Sequence, residues 1–509
     1  IVCNGSTTLP VIYSTINTLG LTTYSWTNDN TGIGLAAGGS GNIPFFTATN
    51  SGTAPSVANI TVTSHFTYGF VTCDGPAETF TITVNPSGQV NDPADQVVCN
   101  GLPTTEVVFT TNNTIGATTY SWTNSNTSIG LAATGTGTIA AFNAINTGSV
   151  PVMSTLTVTP HFEYGTKTCD GPSQTFTITV NPTAQVNDPA DRVVCNAATV
   201  PAINFTTNNI GGLTTYSWAN DNTAIGLGNT GTGNIASFVA TNPGTAPIVA
   251  TITVTPHFSN GTVTCDGPAE TFTITVNPTA QVDDPADIVV CNGLPVTAAA
   301  FTTNNTLGTT TYSWTNNTTS INLPSSGYGD LPAFNAINNG TAPVVATINV
   351  TPHFSYGSVT CDGPSETFTI TVNPSGQVND PADQVLCNGN PVTEVIFTTN
   401  NTVGITTYSW TNSETSIGLA ASGTGDIASF NAVNNGTEPV VATITVTPHF
   451  DYLTEICDGP SQTFTITVNP TAQVNAVADQ VVCNGSPVSP VFFGTLNTGG
   501  VTTYTWDND

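Results

Sequence analysis

CDGPSETFTITVNPSGQVNDPADQVLC, from Cys361 to Cys387, contains the end of one repeat, a short joint and the start of the next repeat. The tetrapeptide CDGP begins at residues 73, 169, 265, 361 and 457, a constant step of 96 residues. This period is too long for a solenoid repeat, which cannot bury a core alone, and it suits a small autonomous β-domain. The sequence therefore predicts a tandem array of domains.

The segment 367–373, TFTITVN, alternates apolar residues with threonine. Such a period of two is expected of a strand with one buried face and one solvated face. Pro374 ends the strand because proline cannot donate a hydrogen bond to a sheet. The same Asn-Pro pair closes every repeat, which predicts domains at 1–86, 87–182, 183–278, 279–374 and 375–470, with the start of a sixth at 471–509. We expect the first to lack its opening residues and the array to be an interior part of a longer chain.

The fourth repeat illustrates the strands that we expect. They lie at Asp287–Cys291, Ala298–Thr303, Thr310–Thr315, Pro332–Ile337 and Val344–Thr351, followed by the closing strand, with a Gly/Ser-rich connection at Ser325–Gly329. No stretch shows the 3.6-residue period of a helix. The predicted fold class is therefore all-β, a tandem array of immunoglobulin-like β-sandwich domains forming an extended rod.

The charge balance excludes several classes of partner. The chain has 2 basic residues, Lys167 and Arg192, against 31 acidic ones, and a formal net charge of -29. Nucleic-acid binding and docking to an anionic membrane need clustered Lys and Arg. No apolar run reaches the length of a transmembrane helix, so we expect no membrane insertion in this segment.

Eleven cysteines recur along the chain with two alternating spacings, 70 and 26. Two pairing schemes suggest themselves: partners 70 apart inside a repeat, or partners 26 apart across a joint. We favour the first, because each repeat then closes its own bond. A disulfide that closes a 70-residue loop would stabilise the folded repeat by roughly 4 kcal/mol. It pairs Cys3 with Cys73, Cys99 with Cys169, Cys195 with Cys265, Cys291 with Cys361 and Cys387 with Cys457, and leaves Cys483 over. Disulfides imply an oxidising, extracytoplasmic setting, and the lack of CxxC pairs disfavours zinc.

A tryptophan follows the first cysteine of each repeat at a constant spacing, as Trp26 follows Cys3. A tryptophan on a central strand commonly packs against the disulfide of an immunoglobulin-like domain. We therefore expect a core position for Trp26, Trp122, Trp218, Trp314 and Trp410, and the sixth copy is Trp506.

The joints carry paired aspartates, which leave two interpretations open. Carboxylates between β-domains are suited to calcium, which takes six to eight oxygen ligands. Alternatively, Asp and Asn before proline form turns. The pairs are Asp92 with Asp95, Asp188 with Asp191, Asp284 with Asp287 and Asp380 with Asp383. We expect no other cofactor.

Histidine and the aspartate of CDGP each recur once per repeat. The histidines are His65, His161, His257, His353 and His449, and the aspartates are Asp74, Asp170, Asp266, Asp362 and Asp458. Metal binding or pH sensing is one interpretation of the histidines; a locally hydrogen-bonded residue at a strand end is the one we favour. Asp-Gly is explained by tight-turn chemistry. No nucleophile elbow, phosphate loop or zincin helix occurs, so we predict no catalytic residues and no enzyme activity.

The motifs VVCNG, TTYSWTN, IGLAA, PVVATITVTPHF, CDGP, TFTITVNP and NDPADQVVCNG occur in this order along the chain. Together they resemble the PKD-like or immunoglobulin-like repeats of giant cell-surface adhesins from Bacteroidetes. Among these, the chain is most similar to the flavobacterial gliding-motility adhesins of the SprB type. The resemblance covers essentially the whole sequence.

This resemblance implies type IX secretion, attachment to the outer membrane at the cell surface, and a role in gliding or surface attachment. Its implied partners are neighbouring repeats, the motility or secretion machinery, and an external substratum or glycans bound by regions outside this segment. Our functional hypothesis is an adhesin stalk that supplies reach and mechanical strength. The alternative is a self-assembling extracellular filament or sheath, against which the repulsion between acidic rods argues.

Overall fold

The computed structural model describes residues 1–509 and consists of β-strands, one-turn 3₁₀ helices and loops, without an α-helix. The chain divides into two compact units. The first comprises Ile1–Arg192, Thr199–Val239 and Val249–Ile274, and the second comprises Val193–Ala198, Ala240–Ile248 and Thr275–Asp509. The third predicted repeat thus contributes to both units. The 96-residue domain boundaries remain a prediction, and we use them below as names for repeats 1 to 6.

Repeat 1 shows the strand arrangement. Its strands are β1 Val2–Cys3, β2 Leu21–Asn28, β3 Gly38–Ser40, β4 Ser56–Tyr68, β5 Val71–Asp74 and β6 Glu78–Asn85. They form one sheet in the order β1-β6-β4-β2-β3, and β5 pairs with the far end of β4. The β1–β6 pair is parallel and the others are antiparallel.

Repeats 2, 4 and 5 repeat this order. Repeat 2 contains β7 Gln96–Cys99, β8 Ala117–Asn124, β9 Thr134–Thr136, β10 Val152–Tyr164, β11 Lys167–Asp170 and β12 Gln174–Asn181. Repeat 3 contains β13 Arg192–Cys195, β14 Thr199–Val200, β15 Leu213–Asn220, β16 Thr230–Thr232, β17 Phe238–Val239, β18 Ile248–Asn260, β19 Val263–Asp266 and β20 Glu270–Asn277. In it, β15 pairs with β16 and β18, and β18 pairs with β19.

Repeat 4 contains β21 Ile288–Cys291, β22 Pro295–Val296, β23 Thr309–Asn316, β24 Ser326–Tyr328, β25 Phe334–Asn335, β26 Val344–Tyr356, β27 Val359–Asp362 and β28 Glu366–Asn373. Repeat 5 contains β29 Gln384–Cys387, β30 Ile405–Asn412, β31 Ser422–Thr424, β32 Val440–Tyr452, β33 Glu455–Asp458 and β34 Gln462–Asn469. No strand forms after Asn469, so repeat 6 has no sheet.

A second, sparser layer covers one face of each large sheet. In repeat 4 it consists of the β22–β25 pair and a single bridge between Ala299 and Leu331. The core lies between the layers, where Phe301 and Leu331 meet Ile348 and Phe368 of the sheet. The predicted fold class, all-β with tandem immunoglobulin-like sandwiches, is confirmed.

Three strand predictions in repeat 4 differ from the structure. The segment Ala298–Thr303 makes only the bridge at Ala299, and the predicted strand Pro332–Ile337 shrinks to Phe334–Asn335. The predicted connection Ser325–Gly329 contains strand β24. Gly327 explains this last difference, because the strand passes directly over the ring of Trp314 and a Cβ at residue 327 would collide with it. Glycine here reflects a close approach of backbone to a side chain.

The tryptophans lie in the sandwich cores and not at the disulfides. Trp26, Trp122, Trp314 and Trp410 are 3–7% exposed, and Trp218 is half-buried. The expected packing against the disulfide is wrong: the core cluster of Trp314 contains no cysteine. Cys291 and Cys457 instead form a separate cluster with Phe450.

Candidate functional site

The disulfides join neighbouring repeats. Bonds link Cys3 to Cys169, Cys99 to Cys265, Cys195 to Cys361 and Cys291 to Cys457, each with a sequence separation of 166. The predicted pairing of cysteines 70 apart is therefore wrong, and so is the alternative of 26. Cys73 and Cys387, which we expected to be bonded, are free and exposed, as is Cys483.

Two structural elements bring each cysteine pair together. The first partner ends the short opening strand, which lies at the edge of its sheet in parallel with the closing strand. The second lies in the hairpin that extends from the long strand of the following repeat, as Cys169 does opposite Phe162. The Cα atoms of each pair are 5.4–5.5 Å apart, within the normal range for a disulfide.

The same hairpin is held by a buried asparagine of the preceding repeat. Asn85 ends β6, is fully buried, and donates from Nδ2 to the carbonyls of Tyr164 (3.1 Å) and Lys167 (3.2 Å). Asn277 and Asn373 donate in the same way to Tyr356 and Tyr452, at 3.0 and 2.9 Å. This hydrogen bond stabilises the hairpin beside three of the four cystines because it satisfies carbonyls at a partly buried contact, whereas Asn181 accepts instead from Asn260 Nδ2 at 3.1 Å.

A second contact between successive repeats joins two loops by backbone hydrogen bonds. The amide of Thr114 donates to the carbonyl of Thr53 at 2.9 Å. Equivalent bonds run from Thr306 to Thr245 and from Thr402 to Thr341. Each junction is thus a covalent bond flanked by hydrogen bonds on two separate loops.

The glycine of CDGP has a different role from the predicted turn. A Cβ on Gly267 would overlap the backbone carbonyl of Ala184, and one on Gly363 would overlap that of Ala280. Gly171 and Gly459 meet Gly88 and Gly376 in the same way. The segment that opens a repeat therefore passes against its hairpin at a distance that only glycine permits.

The joint aspartates act as hydrogen-bond acceptors within their own repeat. Asp95 Oδ1 accepts from the amide of Thr177 at 2.6 Å, and Asp191, Asp287 and Asp383 accept from Thr273, Thr369 and Thr465 at 2.6–2.7 Å. These backbone hydrogen bonds lower the pKa of all four carboxyls. Asp92, Asp188, Asp284 and Asp380 make no side-chain hydrogen bond, and the chain has no cluster of three or more metal-ligating side chains.

Each of the first five repeats carries a row of serine, histidine and aspartate on the face of its sheet opposite the core. In repeat 2, Ser121 Oγ lies 2.7 Å from His161 Nε2, and His161 Nδ1 lies 2.6 Å from Asp170 Oδ1. The other rows are Ser25–His65–Asp74, Ser217–His257–Asp266, Ser313–His353–Asp362 and Ser409–His449–Asp458. The Ser–His distances span 2.6–2.8 Å and the His–Asp distances 2.5–2.6 Å in these rows.

Strand pairing explains how the three side chains form one row, although the serine lies 40 residues before the histidine and the aspartate lies 9 residues after it. Thr119 of β8 is opposite His161 of β10, so Ser121 is its diagonal neighbour on the same face. His161 is directly opposite Asp170 of β11. The local hydrogen bonding that we expected of the histidines is therefore present, but sequence analysis missed the serine. Its signal is the fixed spacing of SW, PHF or SHF, and CD in every repeat.

No protein-family model and no curated protein sequence matches the chain. Among solved structures, the human desmocollin-1 ectodomain covers 90% of this chain and 94% of its own at 11% identity, with a TM-score of 0.26. Drosophila N-cadherin EC1-4 covers 74% and 99% at 12% identity (TM-score 0.24), and Sidekick-1 immunoglobulin domains 1-5 cover 92% and 97% at 9% identity (TM-score 0.22). At these scores the likenesses support no statement about function.

The chain contains no helix with the length and apolar character needed to span a bilayer.

Proposed function

We propose that the chain is the repetitive stalk of a secreted cell-surface adhesin, and that its junction disulfides give it mechanical strength. One observation carries this proposal: every disulfide connects one repeat to the next. A bond inside a domain limits only the unravelling of that domain. A bond between domains also transmits force directly from one cysteine to the other, and the chain between the two cysteines is bypassed.

The bonds define two covalent tracks along the chain. The first track runs from Cys3 across to Cys169, along the chain to Cys195, across to Cys361 and along the chain to Cys387. It therefore uses only two short segments of chain, one around each joint, and bypasses the rest. The second track runs from Cys73 through Cys99, Cys265, Cys291 and Cys457 to Cys483 in the same manner.

The long segments between the tracks contain most of each sandwich. In repeat 2, the segment from Cys99 to Cys169 includes strands β8, β9 and β10. Within one track these segments are bypassed, and they carry load only where force passes from one track to the other. Tension along each track is thereby directed to segments made of a closing strand, a joint and an opening strand, which the two tracks take from alternate repeats.

The four disulfides support secretion, because such bonds persist in oxidising compartments. The finer proposal is a gliding-motility adhesin of the flavobacterial type, secreted by the type IX route and attached to the outer membrane. Its support is the ordered set of motifs that resembles those repeats. A stalk requires no catalysis, and we retain the absence of enzyme activity as part of the proposal. The extended rod also belongs to the proposal, and small-angle scattering tests it.

Single-molecule pulling between residues 1 and 509 tests the mechanical role. At about 3.4 Å per residue, the shortest covalent path of the oxidised chain extends to about 520 Å, and the fully reduced chain extends to about 1,700 Å. We expect the oxidised chain to stop near the shorter limit at forces that unfold β-sandwiches, and reductant to restore the longer one. Equal final lengths in both conditions would refute a load-bearing role for the bonds. Sedimentation at increasing concentration tests the alternative, since a filament protein would associate laterally.

A further inference from the structure

The serine, histidine and aspartate rows have the connectivity of a nucleophile activated by a general base. In repeat 3, Ser217 Oγ is 2.8 Å from His257 Nε2, and His257 Nδ1 is 2.6 Å from Asp266 Oδ1. Serine hydrolases use the same atoms in the same order: one ring nitrogen takes the serine proton and the carboxylate orients the other. These distances meet the requirement for direct proton transfer.

In repeats 2 and 3 the row borders an open cleft that contains both the serine and the histidine. In repeat 2, Ser121 and His161 share the cleft with Thr136 and Thr138. In repeat 3, Ser217 and His257 share it with Thr232 and Asn234. The histidine side chains are 26% exposed, so a small molecule can reach the hydrogen-bonded pair from solvent.

The charge of the residue across this cleft differs between repeats 2 and 3 on the one hand and repeats 4 and 5 on the other. Thr138 and Asn234 are neutral, whereas the same position carries Asp330 in repeat 4 and Asp426 in repeat 5. Asn234, Asp330 and Asp426 make the same contact: a side-chain oxygen accepts from the amide of Phe205, Phe301 or Phe397. Addition to an ester develops an oxyanion, which a carboxylate repels and neutral hydrogen-bond donors favour.

We propose that Ser121 and Ser217 are acceptors for the acyl group of small carboxylic esters. The serine Oγ forms a bond to the ester carbonyl carbon, and its proton passes to Nε2 of the histidine. The carbon–oxygen bond to the alcohol breaks, and the alcohol leaves with that proton. The products are an O-acylserine and one free alcohol.

The acceptor is stoichiometric because the fold gives the oxyanion little support. Ser121 lies in the middle of β8, paired on both sides with Thr136 and Thr159, so the neighbouring amides belong to the sheet ladders. A paired backbone donor site like that of a hydrolase is thus missing, and hydrolysis of the acylserine is slow. The inference is independent of the stalk proposal and consistent with a segment that does not turn over substrate.

The test uses the full oxidised chain and p-nitrophenyl acetate. We expect release of one p-nitrophenolate per acetylated serine, and peptide mass spectrometry should place the acetyl groups on Ser121 and Ser217. Acetylation of Ser313 and Ser409 in the same molecules should be slower by about 100-fold or more, because a carboxylate in the cleft opposes the developing oxyanion and lost oxyanion stabilisation costs roughly 10²–10³-fold. Equal acetylation of the four serines, none at Ser121 and Ser217, or continuous turnover would each overturn the proposal.

Matched variants separate chemistry from folding. His161→Gln with His257→Gln should abolish the fast acetylation, whereas Thr175→Ala with Thr271→Ala, which alters exposed threonines of the closing strands outside the clefts, should leave it unchanged. Asp330→Asn should raise the acetylation rate of Ser313 toward that of Ser217. This gain does not depend on the stability of the histidine variants, and its failure would contradict the assigned role of the cleft residue.

Discussion

Asn373 and Asn469 occupy the same position at the end of a closing strand, but in different surroundings. Asn373 is fully buried and donates to the carbonyl of Tyr452 in the next hairpin. Asn469 is half-buried and makes no side-chain hydrogen bond. The chain therefore contains its own control for the hydrogen bond at a junction.

We expect Asn373→Ala to destabilise the hairpin of repeat 5 by about 1–3 kcal/mol, because a buried carbonyl loses its donor. Hydrogen exchange of the amides of Tyr452 to Glu455 measures this effect directly. Asn469→Ala should leave all hairpins unchanged. Equal effects of the two substitutions would show that the asparagine acts within its own strand and not at the junction.

Gly267 provides a second test at the residue scale. Gly267→Ala should destabilise by about 1–3 kcal/mol, the usual cost of overpacking, because the new Cβ overlaps the carbonyl of Ala184. Gly228→Ala in the same repeat meets nothing closer than 4.0 Å and is the control. Urea denaturation of both variants decides the point, and a tolerated Gly267→Ala would restore the simple turn interpretation.

The four hydrogen-bonded joint aspartates predict an acid-sensitive stability. Their pKa is lowered in the folded chain, so their contribution is complete above the unfolded pKa and is lost as the pH falls through the folded pKa, below about pH 4. Replacing Asp95, Asp191, Asp287 and Asp383 with Asn keeps an acceptor oxygen but removes the titration.

The thermal midpoint of this variant, followed from neutral pH into acid, should therefore fall less steeply than that of the wild type. The same replacement at Asp92, Asp188, Asp284 and Asp380, which make no such hydrogen bond, should leave the wild-type slope. If the two variants behave alike, the hydrogen bonds to the closing strand are not the cause of the acid sensitivity.

At the scale of elements, the sequence predicted what depends on alternation. The closing strand β28 follows the apolar and polar pattern of TFTITVN, and the tryptophan strands follow TTYSWT. The strands of the second layer could not be predicted in the same way. The segment Ala298–Thr303 pairs with its partner segment only through the bridge between Ala299 and Leu331. Alternation does not predict this pairing, because loop conformation and core packing decide it.

The disulfide pairing could not be predicted from spacing at all. In an array with a 96-residue period, partners 70 apart and partners 166 apart differ by one whole repeat, and every cysteine occupies equivalent positions in both schemes. Only the docking of the hairpin formed by β10 and β11 beside the preceding opening strand distinguishes them. The serine rows escaped prediction for a related reason, since strand register brings their members together.

At the scale of the whole molecule, two tracks make the array tolerant of a lost bond. Removing the bond between Cys195 and Cys361 interrupts the first track but leaves the second intact. We expect Cys195→Ser with Cys361→Ser to keep the final length of about 520 Å under force. If each bond instead closed its own repeat, the same variant would lose two bonds and the extended chain would lengthen by about 480 Å. That lengthening would contradict the two-track arrangement.

The central claim, that disulfides connect each repeat to the next, is tested most directly by trypsin. The chain offers only Lys167 and Arg192 for cleavage, which yields the fragments 1–167, 168–192 and 193–509. Digestion is performed on the unfolded, unreduced protein with free thiols blocked, followed by non-reducing electrophoresis. Bonds from Cys3 to Cys169 and from Cys99 to Cys265 predict that all three fragments stay together until reductant is added. Release of 193–509 would indicate bonds inside repeats, release of 1–167 would indicate bonds across the joints at the shorter cysteine spacing, and either result would contradict the account.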